Sequence, residues 1–542
     1  MHSFFRKRSV RLIGLFALAL ALVTPALASA KPAPGAKGRG FRLFARPLGA
    51  LTINRIYCGL DSSGQVCVDS LGSSTIGGGF WPKGTADQYV FNSGLQAAAV
   101  IGPDGGPWAG DTTGAFFFDP KGTTLHGEQV QPILNTTGLT DNQFICGRGS
   151  FGCDSLTTDP VALAARVPSG DANEAIFNPL LRGRTAASQG DVWWLSWDGN
   201  PGLVAGRPHP LGIVVEQRGL GWNFPAGNED IVYFIYTFYN ITSINPADYA
   251  AVRPGMRDIL LQQANTFQQR NEATFGLALP DGGYTLTNLY ANFSADMDVA
   301  NAGVNYASVN VPFQLGYVYD HSFSRFQGWD FDPAIFSAPF FSGTGFVGVK
   351  YLKSPEIAPG VEAGLTLFST TTNGLDFSDP ANTTQLYRYV SGNIDPGAGD
   401  DPCSFNPIAT HICFIRQSAA ADMRFFQSSG PLTLGPGQFG SVVVAYIFAA
   451  PVAVPSVVAC SGTCDVKPGT PAIIAGLSDP AAIANGANQV DSVTGFLDAR
   501  DINADDIVTQ DEFTVVPGSL LGKAKVAQAV FDNGFLLPFA PD

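Results

Sequence analysis

At 542 residues the chain is long enough for two or more domains with substantial cores. Its formal net charge of −14 argues against nucleic acid and anionic membrane as partners, because both would repel it. Sparse Lys and Arg, Asp in excess of Glu, and abundant Gly, Pro and Phe point to a loop-rich, mainly β chain.

Residues 1–30 read as a secretory signal peptide. Arg6, Lys7, Arg8 and Arg11 form a basic start, Leu12 to Val23 a short apolar run, and Ala28-Ser29-Ala30 an A-x-A cleavage site. That run is too short for a comfortable membrane span, and no later apolar run reaches about eighteen residues, so no span is expected after cleavage. Loss of those four cations takes the net charge from −14 to −18. The expected location is outside the cell or on a bacterial surface. Residues 31–50, rich in Pro, Gly and Lys/Arg, form an exposed leader.

From residue 51 to 455, short apolar segments alternate with Gly/Asp/Pro turns, which predicts a β-rich body, one domain or two sub-domains. Strands are expected at Gln88–Phe91, Ala97–Ile101 and Ala115–Phe118. Asp230–Asn240 is aromatic and β-branched on both faces, so it predicts a central strand covered on two sides, and Gly440–Ala449 predicts a second. Gly283–Phe293, Phe313–Tyr319 and Thr344–Leu352 complete the set. The one helical pattern here, Ala247–Gln268, is interrupted by Pro254 and Gly255. Strands at this spacing predict β-sandwich-like layers. Eight cysteines fall as four close pairs: Cys58 with Cys67, Cys146 with Cys153, Cys403 with Cys413, and Cys460 with Cys464. Export makes disulfides between neighbours the first reading; zinc, the rival, lacks C-x-x-C spacing.

A proline-punctuated seam at Ala450–Pro455 separates this body from a small α-containing C-terminal module, residues 456–542. There Ser478-Asp479-Pro480 predicts one helix start. Ser519 caps a second helix, with Leu520, Ala524, Ala527 and Phe531 at helical spacing and Gly534 and Pro538 as stops.

The most specific chemical statement in the chain is Asp501-Ile502-Asn503-Ala504-Asp505-Asp506-Ile507-Val508-Thr509-Gln510-Asp511-Glu512-Phe513. Oxygen-bearing side chains stand at loop positions one, three, five, nine and twelve. The stretch resembles the EF-hand calcium loop. That resemblance implies a calcium ion (Ca2+) held by Asp501, Asn503 and Asp505, by the Ile507 carbonyl, by Thr509 directly or through water, and by both oxygens of Glu512. Asp506 stands where the family has Gly at a sharp turn, which predicts weaker binding. Val493, Thr494 and Gly495 make a poor entering helix, Pro517 shortens the leaving side, and one loop alone is recognisable. The segment is therefore closer to a dockerin-like extracellular calcium loop than to a paired sensor. The competing reading is a solvated acidic turn.

Asp296-Met297-Asp298, followed by Asn301 and Asn305, could also coordinate calcium, although such runs are more often polar turns. Trp193, Trp194 and Trp197 could form a sugar-stacking platform; core packing is the commoner use of such rings. Trp329-Asp330-Phe331-Asp332 and Asp320-His321 offer acids and a base, but His126, His209, His321 and His411 are isolated and no catalytic motif occurs. The chain is read as non-enzymatic.

The body also resembles a group of uncharacterised secreted bacterial β-rich surface proteins, through Gly79-Phe80-Trp81-Pro82-Lys83-Gly84, Val232–Asn240 and Ala527–Phe535. That resemblance implies export and a mostly β fold, and carries no activity. The expected function is a secreted, EF-hand-containing calcium-binding protein with a structural or adhesive cell-surface role, its partner a surface polysaccharide or protein. The alternative is a secreted polysaccharide-binding or polysaccharide-degrading protein.

Overall fold

The computed structural model describes residues 48–61, 64–68, 78–85, 87–100, 115–118, 131–132, 145–146, 150–151, 188–198, 211–275, 278–299, 303, 305–320, 345–372, 380, 383–398, 421–450, 495–499, 502–505 and 509–535. All of them belong to one compact unit, Arg46–Asp542.

The chain opens with β1 (Leu48–Leu51), β2 (Tyr57–Asp61), β3 (Gly79–Phe80), β4 (Gln88–Val90) and β5 (Asn92–Val100). Short strands β6 (Ala115–Phe118), β7 (Gln131–Pro132), β8 (Ile145–Cys146) and β9 (Ser150–Phe151) precede three long ones, β10 (Gly190–Trp197), β11 (Ile213–Gly221) and β12 (Ile231–Asn240). Helix α1 (Pro254–Phe275) leads to β13 (Leu286–Asp296), β14 (Asn305–Asn310), β15 (Leu315–Asp320) and β16 (Phe346–Lys353). A hairpin, β17 (Glu356–Ala358) and β18 (Val361–Glu362), is followed by β19 (Leu367–Thr372), helix α2 (Thr383–Ser391), β20 (Met423–Leu434) and β21 (Phe439–Ala449). The C-terminal part holds β22 (Phe496–Ala499), β23 (Phe513–Val515) and helix α3 (Leu520–Asp532).

The fold is mainly β, and its named strand pairs are antiparallel. The larger sheet runs β14-β15-β16-β21-β12-β11-β10-β7, with β8 also on β10. The smaller runs β19-β20-β13-β5-β6, and a third sheet, β4-β3-β2-β1-β9, carries the Cys58–Cys67 disulfide. The other three expected cysteine pairs rest on side chains outside the described residues, and the expected seam, Ala450–Pro455, lies outside them from Pro451 on.

β12 is central, between β11 and β21, and every residue of it is buried. The period of two sends Val232, Phe234, Tyr236 and Phe238 into the core between the two larger sheets, and Ile231, Tyr233 and Ile235 into a second core on the opposite face. Between the sheets, Phe293 of β13 meets Tyr236 edge-on at 5.3 Å, and Tyr351 of β16 at 5.7 Å. Polar links cross the same gap: Tyr351 Oη donates to the Gln427 carbonyl (2.7 Å), and Ser93 Oγ lies 2.7 Å from Tyr446 Oη.

Pro254 opens α1 where the sequence pattern predicted an interruption. Residues Pro246–Tyr249 form a separate 3-10 turn capped by Asn245. Proline fits the first turn of a helix because the amide it lacks would have no intrahelical acceptor there. Helix α2 was not anticipated; its Leu386, Tyr389 and Val390 cover Ala98, Tyr290 and Phe426 on the outer face of the smaller sheet. Helix α3 forms where its pattern predicted, with Ser519 Oγ accepting from the Gly522 amide (3.0 Å). Its Leu520, Leu521, Ala524, Ala527 and Val530 cover the outer face of the larger sheet. Among the described residues, no helix is long and apolar enough to cross a membrane.

A buried polar knot fastens α3 to that sheet. Asp230 accepts from Trp81 Nε1 at Oδ1 (2.6 Å) and from Lys523 Nζ at Oδ2 (2.6 Å). Lys523 also donates to the Phe448 carbonyl (2.8 Å) and lies over the Trp81 ring. Burial lowers the pKa of this ammonium, and Asp230 opposes that shift. Removing one partner of such a pair leaves an uncompensated buried charge. Asp230→Ala should therefore cost about 3–5 kcal/mol in chemical denaturation, against less than about 1 kcal/mol for Lys353→Ala, whose partner Glu356 is at the surface. Equal losses would mean that the knot is not a principal tie.

Candidate functional site

The acidic loop is closed by a two-stranded ribbon. β22 and β23 pair antiparallel with Phe496 opposite Val515 and Ala499 opposite Phe513, so strands flank the loop where an EF-hand has helices. Gly495 begins the ribbon at φ 88°, and a Cβ there would overlap Ser519 Oγ, so the turn requires glycine. The leaving end is pinned to the body. Phe513 is buried edge-on against Phe313 (5.1 Å), and Lys525 Nζ donates to the Phe513 carbonyl (2.8 Å). Lys350 Nζ donates to Gln510 Oε1 (3.0 Å) and to the Phe313 carbonyl (2.8 Å).

Asn503, Asp505 and Thr509 are exposed, and Ala504 between the first two adopts the left-handed conformation, φ 59°. Asn503 Oδ1 accepts from the Asp505 amide (3.1 Å) and its Nδ2 donates to Asp505 Oδ2 (3.1 Å). Glu512, at position twelve, spans the loop. Its Oε1 accepts from the Ile502 amide (2.8 Å), and its Oε2 from the Thr509 amide (2.9 Å) and hydroxyl (3.3 Å). The amides of Thr509, Ile502 and Asn503 hold its carboxyl below the usual range. The donor set suits a hard cation: amide, carboxylate and hydroxyl oxygens on one turn of chain. Coordination would require Glu512 to exchange its amide donors for the ion. Asp501 and Ile507, and with them Asp506, lie outside the described residues.

The second acidic group is larger than its sequence suggested. Asp296 ends β13, Asp298 follows it, and Asp422 comes in just before β20; one carboxylate oxygen from each lies within 4.8 Å of the others. Arg424, directly opposite Asp296 in the β13–β20 ladder, approaches both Asp296 (3.2 Å) and Asp422 (3.6 Å). Gln88 Nε2 donates to Asp298 Oδ2 (2.7 Å). Burial, then the like charges of Asp296 and Asp422, push the Asp298 carboxyl up to about 7. Asn305 is engaged elsewhere. Its side chain accepts from the Val299 amide and donates to the Val299 carbonyl, fixing the segment after Asp298. Asn301 lies outside the described residues. Asp422 is more than a hundred positions from Asp296, and no local signal marks it.

Other candidates are structural or undescribed. Trp81, Trp197 and Trp222 are buried, so these rings pack the core; the side chains of Trp193 and Trp194 lie outside the described residues. Glu216, fully buried on β11, is compensated by Arg253 and Arg218 and by the Tyr239 hydroxyl (3.0 Å). His126, His209, His321, His411, Asp330, Asp332 and the side chain of Asp320 lie outside the described residues.

No protein-family model matches the chain, and no curated protein does so either.

Two buried titrations give the fold a pH signature. Desolvation lowers Lys350 to about 7, against the raising influence of Asp532 and Asp511. The unfolded chain then binds this proton more tightly than the folded one, so stability should rise between about pH 7 and 10. Lys523, also lowered by burial, acts in the same direction. Asp298 is raised, so the folded chain is the tighter binder and stability should fall between about pH 4 and 7. Melting temperature should therefore climb from pH 7 to 9 in the native protein and climb less in Lys350→Met. Identical profiles would contradict the burial of a titrating Lys350.

Proposed function

We propose that this chain is an exported calcium-binding protein in which the 501–513 loop acts as a structural clasp, serving cell-surface structure or adhesion. The supporting observation is the Glu512 carboxylate. It joins loop positions two and nine and stands with Asn503, Asp505 and Thr509 on a ribbon pinned to the body by Phe513, Lys525 and Lys350. A flexible acidic turn would have to be ordered by the ion, at an entropic cost; here Glu512 already joins positions two and nine. The pinned flanks also oppose a sensor's role, since a switch needs helices that can reorient. Ca2+ would add charge compensation among the acidic side chains and tie the ribbon to α3 and the larger sheet.

The export reading rests on the basic and apolar features of residues 1–30, on the close pairing of the eight cysteines and on the Cys58–Cys67 disulfide. Extracellular calcium modules bind in the range of about 10⁻⁴–10⁻³ M. Saturating millimolar calcium should therefore stabilise the protein by roughly 1–3 kcal/mol and raise its melting temperature by a few degrees, with EDTA reversing the rise. Glu512→Gln keeps the shape and removes the charge, and should abolish most of the calcium response of this loop. A calcium response unchanged in Glu512→Gln would end the assignment.

A further inference from the structure

The outer face of the smaller sheet carries a ladder of polar side chains. Gln96, Asn292 and Ser428 form one hydrogen-bonded rung: Asn292 Nδ2 donates to Gln96 Oε1 (2.6 Å), and Ser428 Oγ to Asn292 Oδ1 (2.9 Å). Further along the same face, Asn92, Asp296 and Arg424 stand in register, each directly opposite its neighbour. Opposed residues in an antiparallel pair have Cβ atoms about 4.5–5.5 Å apart. The Asn92 side chain therefore leaves the sheet beside that of Asp296, at the acidic group. Asn92 is 3 % exposed, and its Oδ1 is buried and accepts no hydrogen bond. An acceptor buried without a donor is disfavoured. Its cross-strand neighbour Asp296, and the Asp298 and Asp422 carboxylates grouped with Asp296, are acceptors as well, while the donor of the row, Arg424, stands on the other side of Asp296. A cation resolves both problems.

We propose that Asp296, Asp298 and Asp422, together with the Asn92 side-chain oxygen, form a second divalent-cation site whose ligand is calcium. The carboxylate oxygens lie within 4.8 Å of one another. Two oxygens on opposite sides of one calcium ion are about 5 Å apart at most, given bonds of about 2.3–2.6 Å, so the spread of the three carboxylates is compatible with one shared ion. Magnesium, with shorter bonds and strict octahedral demands, fits this spread poorly. Zinc would prefer nitrogen and sulfur, and the group contains only Asp. Among the described residues, three carboxylates against the Arg424 guanidinium leave a charge of −2 when all are ionised, which one divalent cation cancels. An acid pair serving hydrolysis would use the same carboxylates, but gives no account of the buried Asn92 acceptor. This site shares no residue with the 501–513 loop, so the two assignments stand or fall separately.

Calcium titration of the full-length protein by calorimetry, with calcium chloride as the sole probe, tests the proposal. The native protein should show two classes of site. Glu512→Gln should retain the one at Asp298, and Asp298→Asn should lose it, with affinity falling at least tenfold. Asp298→Asn relieves like-charge repulsion, so its melting temperature without calcium should equal or exceed that of the native protein, which separates loss of binding from loss of folding. Asn92→Ala, which changes no charge, should weaken the same class several-fold. Calcium binding in Asp298→Asn indistinguishable from the native protein would overturn the proposal. So would a neutral-range titration of Asp298 that calcium leaves unmoved, the mark of a proton-sharing acid pair.

Discussion

The described architecture turns on one buried carboxylate. Asp230 stands just before the central strand β12 and binds the indole of Trp81 and the ammonium of Lys523 at 2.6 Å each. Those partners lie 149 and 293 positions away, so a single residue joins the first part of the chain, the central strand and the C-terminal helix. Charge drives this, since an ammonium among apolar side chains is tolerated only when paired and hydrogen-bonded. With α3 fixed, its apolar side closes the outer core of the larger sheet. Trp222 and Phe535 stack there at 5.7 Å, and Tyr233 meets both edge-on.

The acidic loop inherits its position from that arrangement. Ser519 caps α3 and packs where Gly495 turns into the ribbon; Phe513 inserts against Phe313; Lys350 and Lys525 hold the leaving end. The loop's oxygens project from a surface whose foundations are buried, a geometry suited to a clasp. The Asp296–Asp298–Asp422 group lies at the end of the smaller sheet, where strand register brings like charges together and burial makes ionisation of Asp298 costly. In each place the local structure concentrates oxygen acceptors, and in each the proposed occupant is a hard cation.

Much of this was legible in the sequence where local pattern decides the outcome. Tyr233, Phe234, Ile235 and Tyr236 announced a strand buried on both faces because nothing polar interrupts them, and Ser519 with Leu520, Ala524 and Ala527 announced α3. Trp81, Trp197 and Trp222 pack as core, as aromatic rings in a β-rich chain usually do. Where outcomes depend on distant pairing, the sequence was silent or misleading. Asp422 and Asn92 join Asp296 only through the pairing of β13 with β20 and β5. Nearer by in sequence, Asn305, which follows the Asp296–Asp298 run, spends its side-chain amide on the Val299 backbone. Pro254 looked like a break and is a helix start. Lys523 and Lys350 gave no sign of burial, because a lone lysine in sequence carries no information about a carboxylate or carbonyl far along the chain.

Whether the 501–513 loop closes around calcium decides the proposed role, and a crystal structure of the protein grown in millimolar calcium tests it most directly. An anomalous-scattering peak is expected within about 2.3–2.6 Å of oxygens from Asn503, Asp505 and Glu512, with Glu512 turned away from the Ile502 and Thr509 amides. A loop without such a peak, with Glu512 still hydrogen-bonded to those two amides, would contradict it.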